Sequence, residues 1–424
     1  MATDTESQLI ERARRSRAAA SALAQAPRRV KDAALESVAR AVVAEAGRIL
    51  AANARDVERE AAAGMPEPLT DRLRLTRERI EALAEAIGVV VGLEDPVGRV
   101  RQGKTLPNGL RLRQVSVPLG VVACVYEARP NVTVDIVALA LKSGNSAVLR
   151  GGSAARETNT VLIEVMREAV EEAGIPADSV IGIDDLGREG VTALLGARGH
   201  IDLLIPRGGK GLIETVTQNA RVPVIATGDG NVHIVLDRSA RTDEAVSVLL
   251  NAKTQRTGVC NAVETLILLE GAEAAPAVLE ALLEAGVRLH ADERARALLG
   301  GRGDSEQVLP ATEADWETEY LDMDLAVKTV DTLDEAMEHI ARYSSGHTEA
   351  ILTDSVANAE RFQRTVDSST VVVNASTRFT DGGEFGLGAE VGISTARLHA
   401  RGPMGVEELT TSKWLVNGDG HVRT

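Results

Sequence analysis

The feature that most constrains this chain is a regular alternation of short apolar runs and helical segments that begins at residue 121. The runs VVACVY, AVLR, VIGI, IDLLI and VPVI are separated by helical stretches. After Gly230 the alternation starts again with HIVLD, AVETLILL, AVKTV, EAILT and TVVVN. Strands separated in this way are typical of a parallel sheet covered by helices on both faces. The sequence therefore predicts an α/β protein with two such domains in series.

The chain before residue 121 has other patterns. Apolar residues recur at three- and four-residue spacing in a segment that contains Leu35, Val38, Val42, Ala46 and Ile49. This spacing predicts a layer of helices packed on a sheet. In TLPNGLRLRQVSVPLG, residues 105–120, Asn108-Gly109 lies between two alternating segments, which indicates a β-hairpin. A hairpin has little core of its own, so we expect it to pack on another element or on another subunit.

Composition excludes several classes of protein. The chain has 424 residues, two cysteines and a net charge of −15. Two cysteines and no Cys/His cluster predict neither a disulfide framework nor a metal site, which fits a reduced, cytoplasmic setting. The acidic balance argues against nucleic-acid binding. Without a run of about 18 apolar residues or an apolar signal-peptide core, no membrane span or secretion is expected.

Two glycine-rich turns follow predicted strands, although no GxGxxG motif is present. They are Arg150-Gly151-Gly152-Ser153 and Arg207-Gly208-Gly209-Lys210. In such turns, backbone N–H groups and a helix N-terminus can approach a phosphate, and an arginine can bind it with two hydrogen bonds. Each turn alone fits an ordinary connection between a strand and a helix equally well. Two of them in an acidic protein favour an anionic cofactor.

Cys260 lies in TQRTGVCNAVE, between a helical stretch and a predicted strand. A thiol in such a loop is either a small structural residue or a nucleophile, and Arg256 four residues earlier would favour its thiolate. No histidine is spaced to act as its base. Cys124, in the middle of VVACVY, fits a structural role.

Long stretches of the chain resemble the aldehyde dehydrogenase superfamily and, within it, the family of gamma-glutamyl phosphate reductases. The resemblance is carried by VPLGVVACVYEARPNVTVDIVALALKSGNSAVLRGG, LLIPRGGKGLI, the Cys260 loop, AMEHIARYSSGHTEAI and VNASTRFTDGGEFGLGAEVGISTARLHARGPMG. It implies a Rossmann-type NADPH-binding domain (1–104 and 121–228), a catalytic domain (229–385), and a small β-arm for oligomerisation with a C-terminal tail (105–120 and 386–424).

The resemblance also implies roles for individual residues. Cys260 matches the nucleophile and Asn131 the oxyanion-hole asparagine. Arg150 matches the position that contacts the adenosine ribose, where an arginine suits the 2′-phosphate of NADPH, and Glu319 matches the glutamate that holds the nicotinamide ribose. The cations nearest these motifs are candidates for the substrate's phosphate or α-carboxylate: Arg129, Arg256 and Arg378. Arg378 is as well suited to fixing its own loop.

The implied activity is the NADPH-dependent reduction of L-glutamyl 5-phosphate through a cysteinyl thioester, the second step of proline biosynthesis from glutamate. The implied assembly is a homo-oligomer, a dimer or tetramer. Because the chain has no P-loop, glutamate 5-kinase would be a separate protein, and contact between the two is left open. Ala226 stands where hydrolysing relatives carry a glutamate that activates water, which favours reduction. A hydrolysing or CoA-acylating aldehyde dehydrogenase and an inactive binding protein remain the alternatives.

Overall fold

The computed structural model of the protein describes residues 3–423, apart from the side chains of Pro68 and Lys210. Its α-helices have the following bounds: α1 Asp4–Leu23, α2 Arg28–Ala44, α3 Ala46–Ala62, α4 Glu67–Leu73, α5 Arg77–Gly92, α6 Pro130–Lys142, α7 Arg156–Glu172, α8 Gly187–Gly196, α9 Lys210–Asn219, α10 Thr242–Thr254, α11 Ala275–Glu284, α12 Glu293–Leu298, α13 Leu333–Tyr343 and α14 Val356–Thr365.

The strands are β1 Val100–Thr105, β2 Arg111–Pro118, β3 Val121–Tyr126, β4 Ser146–Arg150, β5 Val180–Gly182, β6 Leu203–Arg207, β7 Val232–Leu236, β8 Val263–Leu269, β9 Arg288–Ala291, β10 Val308–Pro310, β11 Asp324–Val330, β12 Thr348–Leu352, β13 Thr370–Val373, β14 Ile393–Ser394, β15 Gly402–Pro403 and β16 Thr410–Asn417. Together they confirm the α/β fold class.

The described chain forms two compact units. The first extends to Thr227 and also contains Gly386–Gly392 and the chain from Met404 onward. The second contains Gly228–Phe385 and Ile393–Pro403. Residues 386–424, which were expected to form one arm and tail, are therefore divided between the two units.

The first unit is built on a parallel sheet with the strand order β5-β4-β3-β6. All six side chains of β3 are buried, which explains why its sequence is continuously apolar. Alternate residues of β3, including Val121 and Ala123, pack with Leu9 and Ala13 of α1 in one core cluster. Because the chain runs from β3 through β4 to β5 and then returns to β6 on the other side of β3, the order reverses between β3 and β6. Ligands of open α/β sheets bind at such a reversal, beyond the carboxyl ends of the strands.

Local sequence determines where the N-terminal helices begin. The Thr3 and Thr76 hydroxyl oxygens accept hydrogen bonds from Glu6 N and Arg79 N and cap α1 and α5. The helical layer predicted before residue 100 is thus observed as five helices within the described residues. One expectation was wrong: VPVI is not a strand, and only an isolated bridge joins Val224 to Leu204. Pro223 has no N–H with which to continue a ladder.

The predicted hairpin forms, but it is longer than residues 105–120. β1 begins at Val100 and pairs antiparallel with β2, and the C-terminal β16 adds to the other side of β2. Gly109 in the turn has φ +92°, a conformation that glycine adopts without strain. This three-stranded sheet carries exposed Trp414 and Val416. Its role as an oligomerisation arm stays a prediction.

The second unit contains a seven-stranded parallel sheet with the order β10-β9-β11-β8-β7-β12-β13. All seven side chains of β8 are buried. Leu266 and Leu268 pack in a cluster with α10 and α11, while Ile267 and Leu269 pack in another cluster with α13 and α14. Helices on both faces explain why AVETLILL is apolar apart from Glu264 and Thr265. Strands β9 and β10 at the edge were not predicted, because they are short and partly exposed.

Candidate active site

Cys260 lies in the loop between α10 and β8, and its side chain is half-buried. The segment that leads into β7 approaches this loop closely. A Cβ atom placed on Gly230 would lie only 1.8 Å from the Cys260 carbonyl oxygen and 2.5 Å from its Cα. Glycine is therefore required at residue 230 for the backbone of Cys260 to adopt this position.

Asn261 anchors the Cys260 loop to the 3₁₀ turn Thr377–Phe379. Its Nδ2 donates to the carbonyl oxygens of Thr380 at 2.8 Å and Arg378 at 3.3 Å, and the Thr377 hydroxyl donates to the Asn261 carbonyl at 2.7 Å. The side-chain amide and the Asn261 carbonyl are buried, so these bonds hold the residue next to the thiol in one orientation. Sequence reasoning did not single out Asn261.

The structure brings Arg378 into the neighbourhood of the thiol. Its Nε donates to Gln255 Oε1 at 2.8 Å, which ties the 3₁₀ turn to the start of the Cys260 loop. Burial lowers the pKa of Arg378 and Arg256 adds to this, whereas the negative forms of Asp381 and Cys260 oppose it. Arg378 thus supplies positive charge near the thiol, and Arg256 adds positive charge beside Arg378. The contact with Gln255 gives Arg378 the scaffold role, and binding of substrate stays a prediction for both arginines.

Glu319 belongs to the same unit as Cys260. Its Oε1 accepts a hydrogen bond from Gly230 N at 2.8 Å, and Gly230 is the residue that lies against the Cys260 backbone. Leu321, two residues on, has φ +54°, which is rare for a residue with a side chain. A buried carboxylate, Glu264, accepts from Leu321 N at 3.2 Å. Glu264 could have been noticed in the sequence, because it is a charged residue inside a predicted strand that is otherwise mostly apolar.

Asn131 lies in the first unit, in the first turn of α6, and it is exposed. Its Nδ2 donates to Asp135 Oδ2 at 3.5 Å, one helical turn further on. Burial raises the pKa of Asp135 to about 6, and the charge of Arg207 and the Asn131 amide oppose that shift. Arg129 is the residue that precedes α6, and its backbone N–H donates to the Glu127 carbonyl.

The turn Arg150–Ser153 follows β4, at the carboxyl end of the sheet. Gly151 N donates to Asp184 Oδ1 at 2.7 Å, so a carboxylate already binds an amide of the kind that a phosphate would use. A Cβ on Gly151 would lie 2.0 Å from Asn159 Nδ2, and one on Gly152 would lie 2.6 Å from Ala128 N. Close packing alone therefore requires both glycines.

Buried polar groups cluster beside this turn: the Asn159 amide lies against the Asp184 carboxylate, and Arg150 Nε has no hydrogen-bond partner among the described residues. Burial raises the pKa of Asp184 to about 6, while the Gly151 N–H and Arg150 oppose the shift. Unpaired buried donors and acceptors are unusual and suit a polar ligand. Arg150 Nε is therefore available to a polar ligand, and the binding of a dinucleotide at this turn stays a prediction.

The second turn follows β6, across β3 from the first, at the reversal of strand order. Gly209 N donates to Glu127 Oε1 at 2.6 Å, and a Cβ on Gly208 would lie 2.6 Å from Glu127 Cγ. Glu127 thus occupies the N-terminus of α9, where a phosphate was predicted. Lys210 is the first residue of α9, and its side chain lies outside the described part. Sequence reasoning missed Glu127 because 82 residues separate it from its partner.

A pocket of about 340 Å³ opens at the β5 edge of the first unit, away from both turns except at Asp184. Its arginines are already paired: Arg12 with Asp185, and Arg15 and Arg167 with Asp178. Within residues 3–423, no group of three or more His, Cys, Asp or Glu side chains could hold a metal ion. The same part of the chain has no helix long and apolar enough to cross a membrane.

Comparison with known proteins gives the family. The model of the aldehyde dehydrogenase family matches residues 2–298, more than half of the chain. The chain belongs to the aldehyde dehydrogenase family. It is 54% identical over 423 residues to the gamma-glutamyl phosphate reductase of Thermobifida fusca, covering 99% of this chain and 100% of the relative. The counterpart from Kineococcus radiotolerans is 55% identical over 424 residues, covering 99% and 98%.

Solved structures agree with this membership. The gamma-glutamyl phosphate reductase of Thermotoga maritima superposes with a TM-score of 0.95 at 47% identity, covering 98% of this chain and 100% of that one. An acetylating aldehyde dehydrogenase of Geobacillus thermoglucosidasius, at 20% identity and a TM-score of 0.72 over 99% and 98% of the chains, shares the fold. The resemblance to the gamma-glutamyl phosphate reductases within the aldehyde dehydrogenase family is confirmed.

Proposed function

We propose that this protein reduces L-glutamyl 5-phosphate to L-glutamate 5-semialdehyde and phosphate with NADPH, the second step of proline biosynthesis from glutamate. The observation that carries the proposal is the 54% identity to a gamma-glutamyl phosphate reductase over 423 residues, which leaves no part of the relative unmatched. The membership of the aldehyde dehydrogenase family supports an NAD(P)-dependent oxidoreductase in general.

The reaction begins with attack of the Cys260 thiolate on the γ-acyl carbon. The carbon–oxygen bond to phosphate breaks, phosphate leaves with the electron pair, and a thioester remains on Cys260. The other cysteine is unsuited to this role. Cys124 is fully buried, and burial raises the pKa of its thiol to about 12, so it stays protonated at neutral pH. The half-buried Cys260, with Arg256 and Arg378 in its neighbourhood, is favoured as the nucleophile.

The negative charge that develops on the acyl oxygen is stabilised by the Asn131 amide and by the backbone N–H of Cys260. The exposure of Asn131 in the first turn of α6 supports this role, because its amide is accessible to a substrate. Removing one such donor typically lowers the rate ~100- to 1000-fold. Phosphate is a good leaving group, so the reaction needs little acid catalysis.

The residues that would hold the cofactor are Arg150 at the 2′-phosphate, the turn Gly151–Ser153 at the adenosine ribose, Gly208 and Gly209 at the pyrophosphate, and Glu319 at the nicotinamide ribose. The buried Arg150 Nε, which has no partner among the described residues, supports the first of these contacts. The cofactor supplies the hydride that reduces the acyl carbon. Collapse of the resulting thiohemiacetal releases the aldehyde and regenerates the thiol. Ala226, in place of a water-activating glutamate, favours survival of the thioester until it is reduced.

The reverse reaction provides the test. Purified protein is incubated with L-glutamate 5-semialdehyde, phosphate and NADP⁺, and absorbance of the reduced cofactor is followed. We expect turnover that requires phosphate, and we expect Cys260→Ala to abolish it without loss of cofactor binding. Oxidation at the same rate without phosphate would support the hydrolysing alternative, and dependence on coenzyme A would support the acylating one.

A further inference from the structure

The two ends of the Cys260 loop are joined by a buried ion pair that the reaction itself does not use. Lys253 lies in the last turn of α10 and Glu264 near the start of β8, on either side of the loop. Lys253 Nζ lies 2.7 Å from Glu264 Oε2, and both side chains are fully buried. Ionisable side chains are almost never buried to this extent unless they are paired.

The surroundings of the pair are those of a strongly desolvated site. Burial lowers the pKa of Lys253, and it raises the pKa of Glu264 to about 7 against the opposing charge of Lys253. The Lys253 ammonium also lies 6.0 Å from the ring centroid of Tyr320. A pair in such a place adds little stability over apolar residues of the same volume, so its presence here suggests another role.

The second oxygen of Glu264 leads to the segment that carries Glu319. Glu264 Oε1 accepts from Leu321 N, and Leu321 is held in the left-handed region at φ +54°. Backbone strain of this kind persists only where the surroundings determine it. Two residues earlier, Glu319 accepts from Gly230 N, and Gly230 contacts the Cys260 backbone.

We propose that Lys253 and Glu264 are positioning residues that set the geometry of the Cys260 loop and of Glu319 together. The pair closes the base of the loop, and the contact with Leu321 fixes the strained segment that orients the Glu319 carboxylate. The assignment of Glu319 to the cofactor rests on the proposed function, whereas the closure of the Cys260 loop does not. Neither residue contacts a reacting atom.

The decisive variant replaces both charges, Lys253→Met with Glu264→Leu. Apolar residues of similar volume are tolerated at buried ion pairs, so we expect this double variant to fold with a melting temperature close to that of the wild type. It nevertheless lacks an acceptor for Leu321 N. The single variants Lys253→Met and Glu264→Gln complete the series. The matched control is Asp237→Asn, which alters a buried, hydrogen-bonded carboxylate just beyond the carboxyl end of β7, whereas the Cys260 loop lies at the amino end of the neighbouring strand β8.

Alkylation of the folded protein by iodoacetamide, followed by peptide mass spectrometry, reports on the loop without any turnover. Cys124 is fully buried, so its alkylation in the same sample is the internal reference for unfolding of the protein. We expect Cys260 in the double variant to react at a rate changed at least threefold, and kcat to fall roughly tenfold with little change in the KM for semialdehyde. Asp237→Asn should lower the melting temperature but leave both values unchanged.

A double variant with the wild-type alkylation rate and kcat would overturn the proposal and reduce the pair to a purely stabilising role. Equal changes in the Asp237→Asn control would overturn it as well, since they would reflect general loosening of the unit. If the wild-type protein shows no phosphate-dependent turnover, the proposed function fails, but the alkylation rates still decide whether the pair positions the loop.

Discussion

Substituting Gly230 by alanine should damage the active site through a single methyl group. The new Cβ would lie 1.8 Å from the carbonyl oxygen of Cys260, whereas real Cβ contacts are essentially never under 3.0 Å. The atoms that collide are backbone atoms, so the Cys260 loop has to move by about 1.2 Å and no side chain can rotate away instead. Overpacking of this kind costs about 1–3 kcal/mol of stability. A displacement of about 1 Å at a reacting group lowers rates by about 100-fold.

The assay for Gly230→Ala is the phosphate-dependent oxidation of the semialdehyde, measured beside the melting temperature. Gly301→Ala in the same unit is the control, because a Cβ there meets no atom within 4 Å. We expect Gly301→Ala to match the wild type and Gly230→Ala to lose about 100-fold in kcat while remaining folded at 25 °C. If Gly230→Ala retains the wild-type kcat, the contact with Cys260 does not set the position of the thiol, and this reasoning is wrong.

Other variants test the remaining contacts. Asn131→Ala should lower kcat about 100- to 1000-fold in steady-state kinetics, with little change in cofactor affinity in a fluorescence titration. An equal loss of kcat and of cofactor affinity would contradict an oxyanion role. Glu127→Gln should bind NADPH about fivefold more tightly, because a neutral amide competes less well than a carboxylate for the Gly209 N–H, and weaker binding in a titration would argue that Glu127 itself holds the cofactor. His347 is buried, and burial lowers its pKa to about 4. As the pH falls, His347 is therefore protonated in the unfolded chain before it is protonated in the folded one. The contribution of neutral His347 to the free energy of unfolding is complete above the unfolded pKa of about 6.5, and it falls by about 2 kcal/mol on going to pH 5. In urea unfolding at pH 7.5 and pH 5, His347→Gln should lack that part of the pH dependence, and an identical dependence in both proteins would refute it.

The helices and most strands were predictable because burial acts on contiguous residues. A strand covered on both faces must be largely apolar, as β3 is and as β8 is apart from Glu264 and Thr265, and an amphipathic helix must repeat its apolar residues every three or four positions. The same reasoning failed for VPVI, where a proline interrupts the ladder. It also missed β9 and β10, which are too short and too exposed to leave a pattern.

The chemistry-bearing residue types were likewise visible in the sequence, since a cysteine in a polar loop and two glycine turns after strands are local features. Their partners were not. Asp184 binds the amide of Gly151 across 33 residues, and Glu127 binds that of Gly209 across 82. Nothing in the residues near either turn distinguishes an amide open to phosphate from one that already binds a carboxylate.

By itself, the sequence determined the α/β class, the two parallel sheets and the position of the Cys260 loop between a helix and a strand. Only the tertiary structure decided that Lys253 and Glu264 close that loop and that Gly230 lies against the Cys260 backbone. Periodicity records which side chains must leave water, and this depends on near neighbours along the chain. Which donor meets which acceptor depends on how separate elements pack, and the packed chain alone contains that information.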